Sequence, residues 1–235
     1  MRRDPRTHWQ ELATALEYGR AAVRVGLGRA EEQLIARFYD REDRLLEVGC
    51  GGGRVTLGLL QRGFHRVTAT DFSPAMVEVA QGVLEEAHPG WGANVERQDA
   101  TALTYPEAVF DGVLYAFNGL MCLPDAEHRA RALRSIHRVL RPGGLFFGSG
   151  ADREHGALAE HWSKQPSDEI AGDRWHETST SPVFMHSSTL AETTRELQAA
   201  GFELVTAPLS TELAVETAAF RAFCGETRFY VARKA

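Results

Sequence analysis

The chain is predicted to be α/β: a mostly parallel sheet with helices on both faces, a last strand that runs antiparallel, and a helical cap before the first strand. Two observations lead there. From residue 44 onward, short apolar runs rich in β-branched residues alternate with longer amphipathic stretches, the pattern of βαβ units on a parallel sheet. The first of those runs, Leu45-Leu46-Glu47-Val48, passes directly into Gly49-Cys50-Gly51-Gly52-Gly53 and then into a helical stretch. At 235 residues the chain suffices for one such domain and is short for two.

Strands are expected at residues 44–48, 65–70, 94–98, 111–116 and 144–149. The helix over 53–61 stops before Arg62-Gly63. The next opens at Ser73-Pro74, a hydroxyl N-cap with proline at the first helical position, and runs to residue 87. A third spans 125–140, with an acidic start and a stop at Arg141-Pro142-Gly143-Gly144. Residues 188–200 read as a helix closed by Gly201, 202–207 as a strand and 227–233 as the final strand. No helix long enough to restore the parallel direction separates the last two, so the final strand is expected to be antiparallel. Residues 8–39 read as helical, with Leu12, Leu16, Tyr18, Val23 and Val25 as a partly buried set. The polar stretch 152–182 lies outside the alternation.

Composition narrows the partners. The net charge of -6 gives no basic footprint for nucleic acid, and no apolar run approaches the ~18 residues of a membrane span. The basic N-terminus lacks an apolar core and cleavage site, so a cytoplasmic location is expected. Three widely spaced cysteines fit neither a disulfide framework nor a CxxC metal site, and no metal is expected. A small molecule is the expected partner.

In the glycine loop, missing Cβ atoms allow positive φ and let a ligand approach backbone amides. Asp71, at the end of the second strand, follows Gly49 by 22 residues. In a right-handed βαβ unit its carboxylate lies beside the loop, placed to accept hydrogen bonds from ribose hydroxyls. A dinucleotide fingerprint aligned on Gly49 and Gly51 would need glycine at position 54, where Arg54 stands; the third glycine comes one residue early, at Gly53.

The spacing Glu47-x-Gly49-x-Gly51-x-Gly53 resembles motif I of class I S-adenosylmethionine-dependent methyltransferases. The resemblance continues through Asp71 as the ribose-binding acid and through Asp99-Ala100, the acidic position that meets the adenine amino group. It extends to Phe110-Asp111-Gly112-Val113-Leu114-Tyr115 as the fourth strand and to Arg141-Pro142-Gly143-Gly144 as the turn before the fifth. It implies a Rossmann-like sheet of seven strands and S-adenosyl-L-methionine as cofactor. Under it, Gly49, Gly51 and Gly53 face the methionine end and Glu47 its amino group. Phe72, Met76 and Ala100 sandwich the adenine, with Met76 equally suited to core packing, and Tyr115 lies beside the cofactor.

The stretch after the fourth strand, Tyr115 to Leu123, resembles the FN-x-x-x-H-L segment of some small-molecule methyltransferases, with Cys122 where those carry histidine. Asn118 can hydrogen-bond an acceptor or hold its own loop. His155, His161, Trp162, Trp175, His176 and His186 concentrate between the fifth strand and the C-terminal helix, where a lid over the cleft would lie. Trp175 is expected to touch the acceptor and His176 to take its proton. Tyr18, on the helical cap, can contact the ligand or pack in the core. The expected organisation is a single domain: cap 1–43, cofactor-binding half 44–150, substrate lid 151–186, C-terminal helix and strands 187–235. The function expected is methyl transfer to oxygen or nitrogen of a small molecule. The competing readings are a nicotinamide-dependent oxidoreductase and a non-catalytic S-adenosylmethionine-binding module.

Overall fold

A computed structural model of the chain describes residues 4–156, 159, 170–178 and 180–235. Three helices precede the first strand: α1 (Thr7–Gln10), α2 (Leu12–Val25) and α3 (Arg29–Phe38). Then follow β1 (Leu45–Val48), α4 (Arg54–Gln61), β2 (Val67–Asp71), α5 (Pro74–Ala87), β3 (Val95–Arg97), β4 (Phe110–Tyr115), α6 (Ala126–Val139) and β5 (Leu140–Gly150). Strands β6 (Asp173–His176) and β7 (Val183–His186) lead to α7 (Leu190–Ala199), β8 (Phe202–Thr206), α8 (Ser210–Leu213), α9 (Ala218–Cys224) and β9 (Arg228–Lys234).

Seven strands form one sheet in the order β3-β2-β1-β4-β5-β9-β8. Pairing is parallel from β3 to β5, and β9 runs antiparallel to both β5 and β8. The fold is therefore the expected Rossmann-like sheet. The local signals act where they were read: the Ser73 hydroxyl accepts from the Met76 N–H and Pro74 opens α5. Asp125 caps α6 through the His128 N–H. The Arg-Pro-Gly-Gly turn falls inside β5, where the pairing with β4 shifts register between Phe110 and Gly112. Apolar side chains fill both faces of the sheet, with Leu133, Ile136 and Phe146 on one side and Leu34, Leu59 and Phe147 on the other.

Two features differ from expectation. Residues 173–186 contain a two-stranded antiparallel hairpin, β6–β7, apart from the main sheet. On α2 the large apolar residues Leu12, Leu16 and Val23 are exposed, whereas Thr14, Ala15, Gly19 and Ala22 are buried. The reason is close packing. A Cβ on Gly52 would lie 2.3 Å from the Gly19 backbone nitrogen, and one on Gly19 would lie 2.5 Å from Val79, so only small residues fit that face.

Candidate functional site

Because β1 to β4 run parallel, the loops leaving them gather at one edge, where they line a single cleft roofed by the helical cap. The cleft is open to solvent, and the space within it, solvent at its mouth included, amounts to about 1130 Å³.

The glycine loop forms the floor. Gly49 has φ +64, and a Cβ there would lie 2.8 Å from the Tyr115 ring; a Cβ on Gly51 would lie 3.3 Å from Tyr18. Asp71 ties the loop to β2: its two carboxylate oxygens accept from the Gly51 N–H at 3.0 Å and the Ser73 N–H at 2.9 Å. Burial pushes the Asp71 carboxyl up to about 6, against these N–H donors. Glu47 is also buried and lines the cleft. Burial raises its carboxyl to about 7, although the Thr56 hydroxyl donates to it and Arg54 lies nearby.

One strand further along stand Phe72, Met76, Asp99 and Ala100, all in the lining. Asp99 accepts from the Thr101 N–H and hydroxyl at 2.9 and 2.8 Å. Burial, which alone would raise the Asp99 carboxyl, is outweighed by these donors and by Arg6, so it is held low. The Arg6 guanidinium donates to Asp99 at 2.7 Å and lies 4.5 Å from the centre of the Phe72 ring. A flat group with N–H donors already sits between the carboxylate and the ring.

Beside the glycine loop the lining is aromatic. Tyr18, Phe117 and Phe223 come from α2, the loop after β4 and α9. Phe117 stacks on Phe223 at 4.9 Å and 20°, Tyr18 lies edge-on to Phe223 at 5.6 Å, and Trp9 is edge-on to Tyr18 at 5.7 Å. Phe117 and Asn118 have φ of 50° and 63°, uncommon for residues with side chains and costing about 1–2 kcal/mol each. Hydrogen bonds to the end of β5 hold them there. Ser149 Oγ accepts from the Phe117 N–H at 2.7 Å, Ser149 O from the Asn118 N–H at 2.9 Å, and Asn118 Oδ1 from the Ala151 N–H at 2.9 Å. Behind this wall, Arg54 pairs with Glu31 at 2.6 and 2.8 Å and lies 5.6 Å from the Phe117 ring, all three buried or half-buried.

The cleft thus gathers Tyr18, Glu47, Gly49, Gly51, Asp71, Phe72, Met76, Asp99, Ala100 and Tyr115. Four expected residues are outside the lining. Gly53 stands behind the loop at the N-cap of α4 with φ +87, where a Cβ would meet Ala80 and Leu84. Asn118 spends its carbonyl oxygen on Ala151 and so holds its own loop. Trp175 and His176 lie on β6, with Trp175 packed edge-on against Phe184. Among the other histidines of that stretch, His155 is tied to the Asp152–Arg228 pair and His186 to Asp173 at 2.6 Å. His161 and Trp162 are outside the described residues. Sequence reasoning missed Arg6, Trp9, Arg54, Phe223 and His128 as lining residues. Only Arg54 had a signal, its place directly after the glycines; the rest reach the cleft through tertiary packing.

These residues fit an adenosyl cofactor. Two carboxylates on successive strand ends and an aromatic platform match a ribose and an adenine, and a cradle that side chains would fill matches the methionine end at the α4 N-terminus. The family model of a methyltransferase domain matches residues 45–144. Residues 45–144 thus carry a methyltransferase domain, in line with the class I, S-adenosylmethionine-dependent resemblance of the glycine loop. A relative from Amycolatopsis mediterranei, a 27-O-demethylrifamycin SV methyltransferase, is 37% identical over 102 residues, 43% of this chain and 36% of that protein. This chain therefore aligns with well under half of that relative's length. Among solved structures, the CcbJ methyltransferase of Streptomyces caelestis superposes with a TM-score of 0.72 at 20% identity, covering 99% of this chain and 100% of the other. The glycopeptide N-methyltransferase MtfA, complexed with S-adenosylhomocysteine, superposes with a TM-score of 0.65 at 19% identity over 87% and 88%. Both share the fold of this methyltransferase domain. Among the described residues no helix is long and apolar enough to cross a membrane.

Proposed function

We propose that the chain transfers a methyl group from S-adenosylmethionine to an oxygen or nitrogen of a small-molecule acceptor. The observation that carries this is Asp71, a buried carboxylate bonded to the glycine loop in a cleft whose lining also includes Tyr115 and the rings of Tyr18, Phe117 and Phe223. When bound, the cofactor supplies a sulfonium-borne methyl carbon: an acceptor lone pair forms the new bond as the carbon–sulfur bond breaks onto sulfur, and the acceptor's proton leaves to solvent.

The protein's own work is alignment and exclusion of water. Asp71 accepts from the ribose hydroxyls, Asp99 from the adenine amino group, and Phe72 with Ala100 and Met76 flanks the adenine. Gly49 and Gly51 admit the methionine end, with Glu47 facing its amino group and Tyr115 packed beside it. The hairpin β6–β7 acts as a lid by bracing the helical cap: Ser181 Oγ meets His8 Nδ1 at 3.1 Å, and the Thr180 and Thr14 hydroxyls meet at 3.2 Å. The test is incubation with labelled S-adenosylmethionine and a cell extract, with calorimetry beside it. Label in a small product together with S-adenosylhomocysteine binding is expected. NAD binding without S-adenosylhomocysteine binding would overturn the assignment, and cofactor binding with no labelled product would leave only a binding module.

A further inference from the structure

We propose that Tyr18, Phe117 and Phe223 form the acceptor subsite and that it takes an uncharged, planar aromatic ring. The proposal rests on the methyl-transfer reading and extends it to a substrate class. Three observations support it. The three rings come from separate elements yet converge in the lining of the cleft, at mutual angles of 20° to 69°. A guest ring therefore finds both faces and edges, the two geometries that aromatic pairs prefer.

The second observation is the backbone of Phe117. A phenylalanine in the left-handed region is uncommon, and here it is held by a serine hydroxyl whose N–H partner belongs to Phe117 itself. Such strain collects at ligand clamps, where the surrounding structure fixes a side chain in one place. Its effect is to keep the ring in the lining, stacked on Phe223.

The third is charge. The ionic groups nearest the rings are already matched: Arg54 forms a bidentate pair with Glu31 and lies over Phe117, where an acceptor cation would otherwise sit. The other polar groups there stay neutral. Burial pushes the Cys122 and Cys224 thiols up to about 12 and the Tyr18 phenol higher still. An anionic acceptor would face no spare cation and a cationic one no spare anion, so a charged guest would lose its water without compensation.

The test uses the full chain saturated with S-adenosylhomocysteine and three probes of one skeleton: naphthol, its saturated counterpart decalol, and anionic naphthoate. Saturation-transfer NMR and calorimetry are expected to rank naphthol above both others by about threefold to tenfold, the worth of ring-on-ring contact beyond area. Phe223→Leu, which keeps apolar bulk, is expected to erase that margin and leave S-adenosylhomocysteine affinity unchanged. Tyr18→Phe is expected to keep it. Decalol binding as well as naphthol, or naphthoate binding better, would overturn the proposal, as would equal loss of naphthol and S-adenosylhomocysteine in Phe223→Leu. If that variant does not fold, the ranking on the unaltered chain still decides. If S-adenosylhomocysteine fails to bind the unaltered chain, the cofactor reading falls, while the probe ranking on the free chain judges the ring subsite separately.

Discussion

Asp71 sits under two opposed demands, and their signs differ. Its folded-state carboxyl is raised to about 6 by burial, so in the free chain it contributes stability below its usual range and loses it as pH rises through about 6. Glu47, raised to about 7, acts in the same direction. Ribose hydroxyls reverse the sign at Asp71, because they donate to the ionised form. S-adenosylhomocysteine affinity is therefore expected to rise from pH 5 to pH 7 and flatten above, and its thermal stabilisation of the chain to grow over the same window. A calorimetric affinity independent of pH would place the ribose elsewhere. Asp71→Ala should weaken binding by roughly 1.5–3 kcal/mol, the scale of hydrogen bonds to a charged group. Asp71 was legible from spacing, because parallel strands put each loop at the same edge, whereas Asp99 and Phe72 came from the family resemblance; all three line the cleft. Phe223 was not. It follows Asp71 by more than a hundred residues, and only the seating of Phe220, on the same helix, against Gly28 and Arg54 turns α9 toward the cleft.

At the level of elements, the helical cap is bound to the glycine loop by contact between backbones. A Cβ on Gly52 would lie 2.4 Å from the Tyr18 carbonyl carbon and 2.6 Å from its oxygen, atoms of a helix that cannot yield as a side-chain tip does. Gly52→Ala is expected to cost about 1–3 kcal/mol or more and to lower the denaturation midpoint. An unchanged midpoint would mean that α2 is free to shift. This packing also explains why the apolar residues of α2 misled. Leu12, Leu16 and Val23 mark the outer face, since the inner one has room only for alanine, glycine and threonine. Ahead of α1, Arg6 lies between Asp99 and the Phe72 ring, so in the binding mode proposed above the adenine displaces it. Its ion pair with Asp99 is largely exposed and worth ~0.2–1 kcal/mol, and its contact with Phe72 about 0.5–1 kcal/mol. Arg6→Ala is thus expected to strengthen S-adenosylhomocysteine binding by about threefold to thirtyfold, and weaker binding in the same titration would instead make Arg6 a cover over the bound adenine.

Across the whole molecule, the segment after β5 links the sheet, the hairpin and the cap. It starts at Asp152, buried and paired with Arg228 of β9 at 2.5 Å, so a cut at its base would leave a buried cation unpaired, at a cost of several kcal/mol. A replacement that tests the lid without harm to the fold is therefore confined to the hairpin tip. There, residues 177–182 join β6 to β7 across the terminal His176–Val183 pair, and Thr180 and Ser181 reach Thr14 and the buried His8 of the cap. Replacing 177–182 by Asn-Gly would close the hairpin with a two-residue turn that suits its twist, while removing both contacts. Each contact is worth about 0.5–1.5 kcal/mol, too little to unfold the chain and enough to loosen α1 and α2 over the cleft. Since Asp71, Asp99 and the glycine loop stand on the sheet, S-adenosylhomocysteine affinity should change by no more than a few-fold. Turnover should fall further, because α1, which brings Trp9 to the cleft, and the first turn of α2, which carries Thr14, would be less firmly held. Unchanged turnover would strip the hairpin of any role in closing the site, and parallel loss of cofactor affinity would make it a support of the cofactor half instead.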